Sequence, residues 1–154
     1  MTRYELFKFL HLVGAIVWLG GGLGILLLWR RFAGAKDLGS LKAVDAQNKF
    51  LSMALFGPAT LLTLAFGIAM VIDTPVFDFT DLWIVIGFGG ILLSGVAEGA
   101  FAQPAGKAFM SAVESGGFES AAARRAGRKL AIVGNVELII LFAVVWAMVV
   151  KPTL

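Results

Sequence analysis

Hydrophobic residues fill four long stretches of the chain, and most polar and charged residues lie between them. The stretches cover residues 4–29, 51–72, 82–102 and 130–150. A bilayer core about 30 Å thick requires about 20 predominantly apolar residues per spanning helix. Each stretch meets that length, so the pattern predicts an all-α polytopic membrane protein whose 154 residues form one domain of four transmembrane helices.

The charged residues predict the orientation of these helices. Ten of the 13 Lys and Arg residues lie in the connections 30–50 and 103–129, whereas the connection between the second and third helices carries Asp73, Asp78 and Asp81 and no basic residue. Short loops rich in Lys and Arg remain cytoplasmic. The sequence therefore predicts an antiparallel four-helix transmembrane bundle with both termini outside.

Several classes of protein are disfavoured by the same residues. The chain contains no cysteine, which excludes disulfides, thiolate metal ligands and cysteine nucleophiles. The first apolar run continues to Arg30 and Arg31 without a small-residue cleavage site, so it predicts a spanning helix and not a signal peptide. Because the basic residues follow the membrane topology, we expect no nucleic-acid partner.

The first helix carries the only histidine of the chain, His11, inside an apolar run. Steps of three and four place it on one helical face with Gly14, Trp18 and Gly22. Small residues allow helices to approach closely in membranes, and they can also leave a slot for a flat ligand. Two interpretations stay open: a neutral histidine hydrogen-bonded to a neighbouring helix, or a ligand-binding face.

Two glutamates lie within the third and fourth stretches, where ionisable groups usually mark a function. A rise of about 1.5 Å per residue places Glu98 and Glu137 in the cytoplasmic half, and His11 roughly 10 Å from the outer edge. One compact metal site containing all three is therefore not expected. A hydrated helix end explains Glu98 equally well. Candidate partners of Glu137 are Thr60, Thr63 or Glu98 sharing a proton, which would make the glutamates proton-handling residues.

The connection before the fourth helix has a helical pattern that breaks at Gly116 and Gly117 and resumes at Glu119. It contains the basic cluster, which consists of Arg124, Arg125, Arg128 and Lys129. Basic side chains near a membrane surface attract anionic lipid headgroups with about 1 kcal/mol each. The cluster is a candidate lipid-binding site, and a role in setting topology alone is the alternative.

Motifs in all four helices resemble a family of bacterial predicted integral membrane proteins without an assigned function. The resemblance rests on H-x6-W-x-G-G at residues 11–21, LFGPATLLT at 55–63, TDLWIVIG at 80–87 and the ending ELIILFAVVWAMVVKP at 137–152. The first-helix motif also resembles, more distantly, the copper-resistance D and HemJ-like membrane proteins. That resemblance implies haem b as cofactor, with His11 as axial iron ligand and Trp18 in the pocket wall.

The chain departs from the HemJ-like pattern in its later helices, which contain no second histidine and no Lys or Arg. Protoporphyrinogen oxidation and copper transport are therefore disfavoured. A second axial ligand is not identifiable, so a five-coordinate iron and a histidine from a second copy both remain open.

Three functional hypotheses follow. The first is a small haem-b protein with a redox or electron-transfer role, in which Gly14 and Gly22 leave room for the ring. The second is a non-catalytic accessory subunit that binds lipids and partner helices, and the third is a small proton-coupled transporter. Glycine-rich helix faces also predict a homo-oligomer or a larger membrane complex.

Overall fold

The computed structural model describes residues 1–153, and it confirms the all-α prediction. The helices are α1 (Arg3–Gly34), α2 (Leu38–Leu51), α3 (Gly57–Asp73), α4 (Leu82–Val96), α5 (Gln103–Gly116) and α6 (Ala121–Val150). A π-helical segment, Ser52–Phe56, joins α2 to α3, and a second, Ala97–Ala102, joins α4 to α5. Four helical rods result: Arg3–Gly34, Leu38–Asp73, Leu82–Gly116 and Ala121–Val150. All four are long and apolar enough to cross a membrane.

The rods extend beyond the predicted spans. The 32 residues of α1 correspond to about 48 Å of helix, which exceeds the bilayer core by more than ten ångströms. Much of the connections predicted over 30–50 and 103–129 is helical and contains α2 and α5. The length of an apolar run predicts only the part of a helix that lies within the lipid. The helix itself continues until its backbone is capped. The predicted break at Gly116 and Gly117 is confirmed, because α5 ends there and Gly117 has a positive φ of 76°.

The chain divides into two compact units, Met1–Phe79 and Thr80–Leu154. In the first unit, α1 and α3 form an antiparallel hairpin. The rings of Phe7 and Phe66 lie 5.7 Å apart, and Gly14 lies against Ala59 and Thr63. An ion pair between Arg3 and Asp73 joins the first residue of α1 to the last residue of α3.

The second unit is also an antiparallel hairpin, in which α4 and α5 pack against α6. Gly87 lies against Met148 near one end, and Gly127 lies against the ring of Phe109 at the other. The Lys151 ammonium lies 4.8 Å from the centre of the Trp83 ring, next to the start of α4. Each hairpin is therefore formed by two rods that follow each other in the chain.

Both π-helical segments end directly before a proline-containing turn. The Gly57 N–H donates a hydrogen bond to the Ser52 carbonyl, and the Gln103 N–H donates one to the Glu98 carbonyl. Both bonds span five residues, the step of a π turn. Pro58 and Pro104, each the second residue of the following helix, lack an N–H and cannot donate to the carbonyl four residues earlier. Widened turns of this kind occur frequently at functional sites.

The start of α2 depends on Asp37, whose carboxylate accepts hydrogen bonds from the Ser40 backbone N–H at 3.0 Å and the Ser40 hydroxyl at 2.6 Å. These bonds lower the pKa of the Asp37 carboxyl. A group whose folded-state pKa is lowered stabilises the fold above its unfolded-state pKa, and this stabilisation is lost as the pH falls through the folded-state value.

We therefore expect the protection factors of the amides in the first turn of α2, relative to the intrinsic exchange rate at each pH, to fall on acidification below the usual range of an aspartate. Hydrogen exchange monitored by mass spectrometry measures this directly. Asp37→Asn is the matched control, because asparagine caps helices equally well without titrating. An equal fall of the protection factors in Asp37→Asn would show that another group is responsible.

Candidate functional sites in the two hairpins

His11 lies on α1 and contacts α3. Its Nδ1 atom is 2.7 Å from the backbone carbonyl oxygen of Thr63. A carbonyl oxygen only accepts hydrogen bonds, so Nδ1 carries the proton and donates it. The structure thus contains the interhelical hydrogen bond that one of the two interpretations of His11 requires.

Gly67 makes room for this hydrogen bond. A Cβ atom at Gly67 would lie 3.1 Å from His11 Nδ1 and 3.2 Å from Cε1, tighter than ordinary contacts. With the proton on Nδ1, the neutral imidazole has its lone pair on Nε2. Histidines that bind metals through one ring nitrogen almost always donate the other N–H to a carbonyl, carboxylate or water. The same bond therefore suits both interpretations of His11.

The other residues predicted on the His11 face have different surroundings. Gly14 is buried, and a Cβ there would lie 2.5 Å from Thr63 Oγ1 and 2.7 Å from the Ala59 carbonyl oxygen. The absence of a side chain at this position therefore allows α1 and α3 to approach each other closely. Trp18 is half-buried, and Gly22 is exposed with no atom within 4 Å of an added Cβ. A role of these three residues beside a cofactor stays a prediction.

Both predicted glutamates lie in the second hairpin. Glu98 lies in the π-helical segment Ala97–Ala102, which packs against α6, and its carboxyl accepts a hydrogen bond from the Gln103 side chain. Glu137 lies on α6 and interacts electrostatically with Glu98. Both side chains are half-buried. Of the candidate partners of Glu137, Glu98 is therefore the one to which the structure links it.

The two threonines form hydrogen bonds within their own rod. The Thr60 hydroxyl donates to the Phe56 carbonyl at 2.8 Å, and the Thr63 hydroxyl donates to the Ala59 carbonyl at 2.9 Å. These bonds satisfy the hydroxyl donors of the two threonines that follow Pro58, as is usual for threonines in membrane helices.

Ser94 was not singled out from the sequence, although it lies four residues before Glu98. Its side chain is 2% exposed, and its hydroxyl oxygen has no hydrogen-bond partner among residues 1–153. The spacing i, i+4 in an apolar helix is the signal that could have identified it. Gln103 and Gly67 were missed as well, since their roles depend on the π turn and on a backbone approach.

The basic cluster Arg124, Arg125, Arg128 and Lys129 occupies exposed positions in the first turns of α6. Arg124 forms an ion pair with Glu119 at 3.7 Å, and Arg125 donates to the Ala121 carbonyl at 3.4 Å. Exposure is compatible with binding of anionic headgroups, and that role stays a prediction. Within residues 1–153, no three His, Cys, Asp or Glu side chains are grouped so that they could hold a metal ion.

Comparison with known proteins identifies the family of this chain. Residues 5–152 match the family described as "Predicted integral membrane protein (DUF2269)". No curated protein and no solved structure matches the chain. The match covers nearly the whole length and includes all four helical rods, as the motifs in the four helices predicted. The chain therefore belongs to this family of predicted integral membrane proteins.

Proposed function

We propose that this integral membrane protein binds haem b through Nε2 of His11 and has a redox or electron-transfer role in the bacterial inner membrane. The observation that supports the proposal is the 2.7 Å hydrogen bond from His11 Nδ1 to the Thr63 carbonyl. This bond fixes the ring and leaves the lone pair on Nε2, the arrangement found at metal-ligating histidines.

The residues present fit a haem at the histidine itself. A neutral imidazole nitrogen is a common axial ligand, and a bound haem iron supplies one-electron redox chemistry. The chain orients the ligand through Thr63 and Gly67, and Trp18 and Gly22 are the proposed wall residues. Because α3 covers Gly14, that residue contributes to the helix contact which holds the Thr63 carbonyl in place.

His11 of one chain, or the His11 side chains of two chains in the predicted homo-oligomer, would hold the haem. An accessory subunit without a cofactor is the alternative. The two functions predict different spectra, because an iron porphyrin absorbs visible light and an accessory subunit of this composition does not.

The test is the visible spectrum of the full chain purified from haem-replete cells, oxidised and after reduction with dithionite. We expect a Soret band that sharpens on reduction in the unmodified protein and is lost in His11→Asn. Asparagine is the matched variant, because its amide can still donate to the Thr63 carbonyl while Nε2 is removed. His11→Ala removes both groups and should lower stability by about 0.6 kcal/mol, the average for a hydrogen bond between membrane helices.

A colourless unmodified protein would contradict the proposal and favour the accessory subunit. A Soret band that persists in His11→Asn would exclude His11 as the iron ligand. Nitrogen NMR of histidine-labelled protein gives a separate readout, because His11 is the only histidine. The Nδ1–H signal should be present with or without haem.

A further inference from the structure

We infer that Glu98, Glu137 and Ser94 form a proton-binding site in which the two carboxyl groups share one proton. The site lies between the π-helical segment Ala97–Ala102 and α6, in the second hairpin. It uses no residue of the proposed haem site and stands independently of it.

The register of the second hairpin places the three side chains on one interface. A Cβ at Gly90 would contact Val144 and Ile140, so this face of α4 is directed at α6. Ser94 lies four residues after Gly90, and Glu98 lies four residues after Ser94, which continues the same face. Since the helices are antiparallel, the next turn of α6 beyond Ile140 is the one that carries Glu137.

The donors around the pair are distributed unequally. The Gln103 side chain donates to Glu98, and the Ser94 hydroxyl, buried with no hydrogen-bond partner in the described residues 1–153, lies one helical turn before Glu98. Hydrogen bonds from donors favour the ionised form of a carboxyl group. Glu98 is therefore suited to be the carboxylate of the pair and Glu137 the carboxylic acid, whose O–H would donate to a Glu98 oxygen.

The surroundings favour one proton over none. Two carboxylates in close proximity and away from water repel each other, so one of them retains its proton. The charged residues of the elements packed against the π segment are Lys107 and Glu114 on α5 and Arg124, Arg125, Arg128, Lys129 and Glu137 on α6, whereas α4 has none. Lys129, the basic residue of α6 closest in sequence to Glu137, lies eight residues before it, about 12 Å along the helix. A shared proton thus reduces the negative charge of the two carboxyl groups, which Lys129 is too distant to neutralise.

The π turn contributes to the geometry of the site. Glu98 and Gln103 are five residues apart, the step at which the backbone of this segment forms its hydrogen bonds. In a regular α-helix a five-residue step turns the two side chains well away from each other. The widened turn brings the Gln103 amide to the Glu98 carboxyl, which gives the segment a specific function in holding the carboxylate.

Infrared spectroscopy tests the site in the full chain reconstituted in lipid nanodiscs. The carbonyl stretch of a protonated carboxyl should be present at neutral pH, shift on exchange into D2O and disappear as the pH is raised. In Glu137→Gln the band should be lost at neutral pH, because the remaining Glu98 keeps its donors. Ser94→Ala should move the titration midpoint to higher pH, since in the inferred site the Ser94 side chain would rotate to donate its hydroxyl to the carboxylate.

Glu114→Gln is the matched control, because it removes an exposed glutamate of α5 and should leave the band unchanged. Helical circular dichroism of each variant establishes that it is folded. Absence of the band at neutral pH, or its persistence in Glu137→Gln, would overturn the inference. A midpoint that shifts when sodium replaces potassium at constant ionic strength would overturn it as well, because the site would then bind a metal cation.

Discussion

Replacing Gly14 by alanine is expected to destabilise the first hairpin by forcing α1 and α3 apart. The added Cβ would lie 2.5 Å from Thr63 Oγ1, 2.7 Å from the Ala59 carbonyl oxygen and 2.9 Å from the Thr63 nitrogen. Two of these three atoms belong to the backbone of α3, so they cannot rotate away and the two helices must separate. Overpacking of this kind costs about 1–3 kcal/mol and sometimes more.

Gly20→Ala is the matched control for this variant. A Cβ at Gly20 has no atom within 4 Å, and both changes replace glycine by alanine in the same helix. The gain in helix propensity, up to about 1 kcal/mol, is therefore common to both variants. The thermal unfolding midpoint in one detergent should fall in Gly14→Ala and stay or rise in Gly20→Ala. Equal midpoints would mean that α1 and α3 are not in contact at Gly14.

Gly14→Ala should also alter the environment of His11, which lies one helical turn before Gly14. Separation of the helices would lengthen the hydrogen bond between His11 Nδ1 and the Thr63 carbonyl. The nitrogen resonance of the single histidine should then change in Gly14→Ala and remain unchanged in Gly20→Ala. Stability and spectroscopy thus report the same helix contact in two ways.

In the second hairpin, the largest expected effect follows from Gly90→Ala. The added Cβ would collide with a γ-methyl group of Val144 and lie 3.5 Å from the Val144 Cβ. A β-branched side chain in a helix has essentially one rotamer, so Val144 cannot move aside without a shift of the backbone. We expect a loss of about 1–3 kcal/mol, measured by the unfolding midpoint in detergent.

Two variants distinguish this collision from a general intolerance of α4 to alanine. Gly87→Ala meets the terminal methyl of Met148, whose flexible side chain can turn away, so its effect should be smaller. Gly89→Ala meets no atom within 4 Å and should be neutral or stabilising. The double variant Gly90→Ala/Val144→Ala should recover part of the loss. A double variant whose loss of stability equals or exceeds the sum of the two single losses would argue against a direct contact.

The fold was predictable from the sequence because a bilayer imposes a length on every spanning helix. Apolar runs gave the number and order of the rods, and the break at Gly116 was visible as two consecutive glycines before helix-forming residues. The extensions α2 and α5 were harder to predict, because their charged residues resemble a loop connection. Capping by Asp37 gives α2 a defined start, whereas α5 continues from the π-helical segment Ala97–Ala102 without a side-chain cap.

The candidate sites were predictable only where the residue type is unusual for its position in the sequence. His11, Glu98 and Glu137 stand out because titratable groups are rare in apolar runs. The Thr63 carbonyl that accepts from His11 has no signal, since every residue offers a carbonyl. Gly14 illustrates the opposite difficulty: a small residue on the histidine face predicts either a ligand slot or a close helix contact, and only the position of α3 distinguishes them.

Each rod packs against a rod that is its neighbour along the chain, and this arrangement has a consequence for biosynthesis. The residues that hold the first hairpin together, from Arg3 to Asp73, have all been synthesised before α4 begins at Leu82. The first hairpin can therefore form in the membrane while the ribosome is still translating the second. Pairing of sequence neighbours closes short loops, which is the arrangement that folds fastest. The protein is thus built to assemble in two successive insertion steps, each completing its own helix contacts.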